Sequence, residues 1–287
     1  MITGRFAPSP TGPLHMGSLI TAVASYCSAK QAGGEWLVRI DDLDPPRQDA
    51  NATNAIIRCL GAHGLHPDRP IAFQSEHALA YESALQTLTP HLFYCQCSRR
   101  QLRDHARYPG TCRNNKAPFP DCAVRVLMLD TEHSYTDGFL GVIDTELNSQ
   151  LGDFIVRRKD GLIAYNLATA VDDGNAINQV VRGQDLLPVT APQRYLMHLL
   201  GLNTPDYTHI PCLEFEDGTK LSKQTHAPPL NDAHAPANVR AALGYLGFRP
   251  PATLDSVAVL LNWSIEHFDI RQIPPKLPKY RPGHAGV

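Results

Sequence analysis

At 287 residues, 43% hydrophobic and 19% charged, the chain has the composition of an ordinary globular protein, long enough for one large or two modest domains. A net charge of −2 and a pI near 6.7 exclude a global basic field and leave only local patches to meet an anionic polymer. The opening Met-Ile-Thr-Gly-Arg lacks the apolar core of a signal peptide, and apolar windows such as Val257 to Trp263 are too short to span a bilayer, so a cytoplasmic protein without a membrane partner is expected.

The first predicted element is a short apolar strand, Ile2 to Ala7, which runs into the turn Pro8-Ser-Pro-Thr-Gly12-Pro. A helix then starts beside His15 and Gly17, with Met16, Leu19, Ile20, Val23, Tyr26 and Cys27 at helical spacing and Gly33-Gly34 as its stop. Strand, glycine turn and helix N-terminus is the order in which doubly wound folds cradle phosphates. Gly12 and Gly17 leave room for a nucleotide backbone, and His15 is placed to donate to a phosphate oxygen.

Glu35 to Asp41 reads as a buried strand, with Asp41, Asp42 and Asp44 leaving its carboxyl end before Pro45-Pro46. A helix over Asp49 to Gly64, a strand over Pro70 to Phe73 and a helix over Glu76 to Leu88 follow. This alternation predicts a parallel sheet with crossover helices, whose ligands bind at the carboxyl ends of strands. The opening turn and the aspartates should therefore share a cleft.

Near Phe93 the pattern changes, and Phe93 to Gly152 reads as an insertion. It holds Tyr94-Cys95-Gln-Cys97, a short helix from Ser98 to His105, a Pro/Gly/Asn-rich stretch from Tyr108 to Pro120, and strands at Ala123 to Leu129 and Phe139 to Asp144. Seven cysteines, an odd count without an export signal, argue against a disulfide framework. Cys27 and Cys59 fall on apolar helix faces, whereas Cys95, Cys97, Cys112 and Cys122 crowd together in a way that suggests zinc. Spacing leaves the fourth ligand open among Cys122, Tyr108 and His105.

Beyond the insertion, Asp153 to Tyr165 predicts a hairpin turning at Lys159-Asp160-Gly161. A strand over Asn178 to Asp185, a helix over Pro188 to Leu200 stopped by Gly201, and a last strand over Tyr207 to Leu213 come next. The turn at Asp217-Gly218 leads into Lys220-Leu-Ser-Lys-Gln224, a cationic loop able to close over a polyphosphate. Two helical stretches, Pro236 to Leu246 and Leu254 to Leu261, precede a Pro-rich tail from Ile273 to Val287 that should be loosely held.

The turn Pro8-x-Pro-x-Gly12-x-x-His15-x-Gly17, followed far downstream by Lys220-Leu-Ser-Lys223, resembles the class I aminoacyl-tRNA synthetases. Gly4-Arg-Phe-Ala-Pro-Ser-Pro-Thr-Gly12, Arg39-Ile-Asp-Asp-Leu-Asp44-Pro45, Ala164-Tyr-Asn-Leu-Ala168 and Val181-Arg-Gly-Gln-Asp185 resemble blocks of its glutamyl branch. The likeness runs from residue 4 to about 225. Positions 225–287 are too few for the helical anticodon-binding region of glutamyl-tRNA synthetases, so the chain is most similar to the shortened glutamyl-queuosine tRNA(Asp) synthetase family.

That resemblance implies an α/β fold, a Rossmann-type parallel sheet with a zinc-bearing insertion and a small helical C-terminal region. Its parts would be 1–92 and 153–205 for the two halves of the sheet domain, 93–152 for the insertion, and 206–287 for the Lys-Leu-Ser-Lys loop and C-terminal helices. It implies tRNA-independent activation of L-glutamate by ATP with Mg2+, then transfer to the queuosine base of tRNA(Asp). His15, Gly17, Lys220 and Lys223 would be catalytic. Arg5, Phe6, Ala7, Pro8, Ser9, Asp41, Tyr165 and Arg182 would bind glutamate. Thr11, Gly12, His15, Gly17, Ser18 and Lys223 would bind ATP. One Zn2+ would sit on Cys95, Cys97, Tyr108 and Cys112, with Cys122 as the alternative.

Two guanidiniums at strand ends, Arg5 and Arg182, suit a substrate with two carboxylates. Asp41 departs from the family's usual glutamate by one methylene, and Ser18 from the histidine of the wider class. A monomer is expected. Arg99, Arg100, Arg103, Arg113, Lys116 and Arg157-Arg158-Lys159 are the candidate phosphate contacts for RNA. Two other readings are a truncated glutamyl-tRNA synthetase charging a 3′ end and a non-catalytic tRNA-binding paralogue.

Overall fold

The computed structural model describes residues 1–129, 134–144, 152–225 and 227–280, with Gln224 described by its backbone alone. The end of the expected insertion (145–151) and of the expected tail (281–287) lie outside these residues.

In chain order the first part comprises β1 (Thr3–Phe6), α1 (Met16–Gln31), β2 (Glu35–Ile40), α2 (Ala52–Ala62), β3 (Ala72–Phe73) and α3 (Ala78–Thr87). A second group follows: β4 (Leu92–Cys95), α4 (Arg99–Leu102), β5 (Ala123–Val126), β6 (Tyr135–Asp137), β7 (Gly141–Ile143) and β8 (Phe154–Arg157). The chain then returns through α5 (Tyr165–Ala176), β9 (Gln179–Gly183), α6 (Leu187–Leu200) and β10 (Asp206–Ile210), ending in α7 (Ala235–Tyr245) and α8 (Val257–His267).

A five-stranded parallel sheet in the order β10-β9-β1-β2-β3 forms the centre. Covered on both faces, its strands are apolar in their middles: Trp36, Val38 and Ile40 of β2 are buried, as are Val180 and Val181 of β9. The strand expected at Asn178 to Asp185 is thus central, one place from β1. Gly201, at φ 65°, ends α6 as expected, because a left-handed residue there lets its N–H bond back to the last turn.

The insertion is held by a separate antiparallel sheet, β4-β5-β8, and by the hairpin β6-β7. Two expectations change here. Phe139 is not in a strand: Asp137 accepts from the Phe139 and Leu140 N–H groups, both at 3.0 Å, and folds the chain into a tight turn between β6 and β7. The hairpin from Asp153 to Tyr165 is present but short: its first arm, β8, pairs with β5, and its return arm closes on β8 through the Arg157–Ile163 bridge, with the Arg158 N–H on the Leu162 carbonyl at 2.8 Å and the Ala164 N–H on the Val156 carbonyl at 2.9 Å. Tyr165 instead opens α5, a helix the sequence pattern does not announce.

The C-terminal helices complete the main core. Leu243, Leu246, Leu260 and Leu261 share one buried cluster with Leu19, Ile20, Val23 and Cys27 of α1, and Cys27 Sγ lies 3.1 Å from Ser264 Oγ. Nor is the start of the tail loose. Ile273 and Leu277 are buried in that same cluster, and the Tyr280 N–H donates to the Glu214 carbonyl at 2.7 Å. Apolar residues spaced among the prolines hold it down. Among the described residues, no helix is long and apolar enough to cross a membrane.

Candidate active site

A cleft of about 650 Å3 opens at the carboxyl ends of β1 and β9, the place a parallel sheet offers to ligands. Arg5, Phe6, Ala7, Pro8, Ser9, Thr11, His15, Gly17, Ser18, Tyr165, Arg182, Lys220 and Lys223 all line it. Segments two hundred residues apart in sequence, roughly, meet here because β1 is flanked by β9, whose own neighbour β10 feeds the lysine loop.

His15 is the N-cap of α1, and its Nδ1 accepts from the Ser18 N–H at 3.2 Å. Burial, with Lys223 and Lys220 nearby, lowers its pKa to about 4. It is therefore a neutral imidazole at working pH, with Nδ1 occupied and the proton on Nε2, ready to donate. Gly17 has a reason other than phosphate access: a Cβ there would stand 3.2 Å from the His15 ring. Gly12, at φ 147°, makes a turn that side chains rarely adopt, and Lys223 passes close beside it.

The lysine loop lies over the opening turn. Lys223 Nζ donates to the Ser9 carbonyl at 2.8 Å, and burial brings its pKa down to about 8. Lys220 pairs with Asp185 at 2.5 Å, at the end of β9. Lys223 is thus held by a carbonyl and Lys220 by a carboxylate, both at the rim of the cleft.

At the other end sits a buried charge network. Arg5 forks onto Asp173 through Nε and Nη2, at 3.3 and 2.9 Å. Arg39 bridges Asp173 at 2.6 Å and Asp41 at 2.7 Å, and lies 3.5 Å from Asp172. Burial works to raise the Asp173 carboxyl, but Arg5 and Arg39 together hold it well below the ordinary range. Asp41 is the reverse case: burial pushes it up in spite of Arg39. Two guanidiniums and the His77 imidazole face three carboxylates. Asp172 is further fixed by Gln74, His77 and Tyr81.

Asp41 lines not the main cleft but an adjoining cavity of about 390 Å3, with Ser9, Thr11, Asp44, Arg47 and Lys223. Ser9, Thr11 and Lys223 belong to both spaces and form the partition between them.

Arg182 is buried and almost fully engaged. Its Nε donates to His209 Nε2 at 3.1 Å, Nη1 to Gln193 at 2.9 Å and Nη2 to Thr190 at 2.7 Å. Few of its five N–H groups remain for a ligand, so it reads one edge of an anion instead of gripping it with a full fork.

In the insertion, Cys95, Cys97 and Cys112 place their sulfurs within 4.8 Å of one another and can hold a metal ion. Tyr108 lies beside the group, its hydroxyl 3.4 Å from Cys95 Sγ and 3.9 Å from Cys97 Sγ. Against burial, hydrogen bonds from Tyr108 and Arg125 draw the Cys95 thiol down to about 7. Neither Cys122 nor His105 is in this group. Cys27 and Cys59 are buried in the core, as their helix faces predict.

Asp172, Asp173, Arg39, Thr190, Gln193 and His209 escape a reading of the sequence. The signal available was the adjacent acid pair inside an otherwise apolar segment, which needs buried cations wherever it folds.

The catalytic-domain family described as tRNA synthetases class I (E and Q) matches residues 1–233. A protein of Pseudomonas fluorescens named glutamyl-Q tRNA(Asp) synthetase is 43% identical over 280 residues, covering 96% of this chain and 94% of its own. Proteins of the same name from Methylococcus capsulatus and Thiobacillus denitrificans are 44% and 45% identical, and cover 95% and 94% of this chain and 93% and 94% of their own. Among solved structures, glutamate-tRNA synthetase from Elizabethkingia anophelis superposes with a TM-score of 0.81 at 22% identity, over 99% of this chain and 69% of that one. The glutamate tRNA ligase of Elizabethkingia meningosepticum, crystallised with its amino acid, gives 0.78 at 23%, over 98% and 67%. At these identities the solved structures establish the shared fold.

Proposed function

Since the chain belongs to the glutamate and glutamine branch of the class I tRNA synthetases, and within it to the glutamyl-Q tRNA(Asp) synthetases, we propose that it activates L-glutamate with ATP in the absence of tRNA and transfers the glutamate to the queuosine base of tRNA(Asp). The observation that carries this reading is one cleft with two kinds of lining: buried arginines at one end, and a neutral histidine with two lysines at the other.

Glutamate lies with its carboxylates toward Arg5 and Arg182 and beside Tyr165, Ala7 and Ser9. Its ammonium turns toward the carboxylates of Asp41 and Asp173, and the short Asp41 is already tied to Arg39, so it acts as part of that cluster. ATP occupies the turn from Thr11 to Ser18. Its phosphates meet the His15 Nε2–H and the ammonium groups of Lys220 and Lys223, and Mg2+ arrives with the triphosphate.

In the first step a carboxylate oxygen of glutamate attacks the α-phosphorus, and the bond to pyrophosphate breaks. The lysines neutralise the leaving charge, and positioning supplies most of the rate. In the second, a hydroxyl of the queuosine cyclopentene attacks the acyl carbon and AMP leaves. The thiol and phenol donors Cys95, Cys97, Tyr108 and Cys112 suit one Zn2+, which braces the insertion and takes no part in either step. The exposed Arg99, Arg100 and Arg103 beside it have no ion-pair partner among the described residues and form the phosphate-binding face for the tRNA.

The test is glutamate-dependent pyrophosphate exchange without tRNA, followed by charging of tRNA(Asp) with and without queuosine. Exchange without tRNA and charging only of the queuosine form are expected. Exchange that requires tRNA, or glutamate found on the 3′ adenosine, overturns the proposal. No exchange at all identifies a non-catalytic paralogue.

A further inference from the structure

The turn between β6 and β7 belongs to the insertion, yet it docks on the main sheet: the Gly138 N–H donates to the Tyr207 carbonyl of β10 at 2.8 Å. This contact carries the Asp137 carboxylate, which has no exposed side-chain surface, to His209 of β10, equally enclosed. Asp137 Oδ2 lies 2.6 Å from His209 Nδ1. The opposite nitrogen, Nε2, accepts from Arg182 Nε at 3.1 Å. Because a guanidinium N–H can only donate, Nε2 must be bare and the single proton must sit on Nδ1, facing Asp137. Thr190 Oγ1, 2.9 Å from the same Nε2, can donate its hydroxyl proton to it, so three neighbours agree on one tautomer.

We propose that Asp137 and His209 are positioning residues for the activation step: through one enforced imidazole tautomer, the inserted hairpin sets the orientation in which Arg182 meets the substrate carboxylate. The proposal rests on Arg182 contacting glutamate. Thr190 of α6, itself in contact with His209, accepts from Nη2 and Gln193 from Nη1, and Tyr207 lies under the guanidinium, 5.0 Å from ring centroid to Cζ. With His209 these partners fix the plane of the arginine on three sides. Burial and the nearby Arg182 lower the His209 pKa in spite of Asp137. Neither Asp137 nor His209 lines the cleft, so they act only through the arginine.

Asp137→Asn is a nearly isosteric probe. Three backbone N–H groups, of Phe139, Leu140 and His209, converge on Oδ1 at 3.0, 3.0 and 3.2 Å. The asparagine oxygen must take that position, which turns its NH2 toward His209 Nδ1. The imidazole is then forced into the other tautomer: its Nε2–H turns to Thr190 Oγ1, the oxygen that Arg182 Nη2 also uses, and the Arg182 Nε–H loses its acceptor. In tRNA-free pyrophosphate exchange, Asp137→Asn should raise the glutamate KM by about tenfold or more, the scale of one misdirected hydrogen bond to a charged group. The ATP KM should stay unchanged. His209→Gln, which keeps an acceptor for Arg182 Nε, should restore most of the affinity lost in His209→Leu.

Arg182→Lys is the control for the underlying reading. If Arg182→Lys leaves the glutamate KM unaltered, the arginine does not contact the substrate, and both ideas fall. If Arg182→Lys raises it and folded Asp137→Asn does not, the positioning role alone is overturned. Should Asp137→Asn fail to fold, 15N shifts of His209 in the native protein decide. A protonated Nδ1 with a bare Nε2 supports the proposal, and the reverse overturns it.

Discussion

Lys223 rests against the opening turn by bonding to the Ser9 carbonyl, and burial leaves its ammonium with a pKa of about 8. Its charge is complete below that value and lost above it. The kcat/KM for ATP in pyrophosphate exchange should therefore fall as pH rises through about 8, and Lys223→Arg should move that descending limb to higher pH. An unchanged limb in the variant would assign it to another group. His15 has a double duty that a single substitution separates. Asparagine is a good N-cap and keeps an acceptor for the Ser18 N–H, but it does not reproduce the Nε2 donor. His15→Asn should retain the helix by circular dichroism while exchange falls by roughly 10²-fold or more. Full exchange activity would show that the ring serves the helix alone.

At the scale of elements, Cys95, Cys97 and Cys112 gather the loops on either side of α4 at the end of β4, a region with little core of its own. Cys97→Ser should lower bound zinc from one per chain to near zero, read by metal analysis of the purified protein, and should increase proteolysis between residues 98 and 120. Unaltered zinc content would remove Cys97 from the ligand set. This cluster was legible in the sequence because its members lie within one short segment. So was the strand-turn-helix at the N-terminus, where Pro8, Gly12, His15 and Gly17 act on each other locally. The network that positions the arginines was not. Asp173 matters only because α5 carries it beneath β1 and β2, and Asp137 only because its turn reaches β10. Phe139-Leu140 looks like strand for the same reason: its apolar character is plain, whereas the carboxylate that folds it into a turn stands one element earlier.

For the molecule as a whole, α7 and α8 are part of the fold that supports the cleft, since their leucines close the same core as α1. Leu260→Ala should cost about 2–5 kcal/mol, seen as a lower denaturation midpoint with exchange activity per folded chain preserved. A loss below about 1 kcal/mol would mean that α8 is peripheral to the core. The sheet order has a consequence in time. β1 is made first but lies between β2 and β9, and β9 ends at Gly183. At ribosomal speeds the wait between those two neighbours is on the order of ten seconds. Throughout it one side of β1 is an open edge, the kind of surface to which foreign strands add, and Arg5 has no Asp173 to meet. The nascent chain thus carries its nucleotide turn for most of synthesis without a cleft around it. Catalytic competence is acquired only as the last third of the protein emerges.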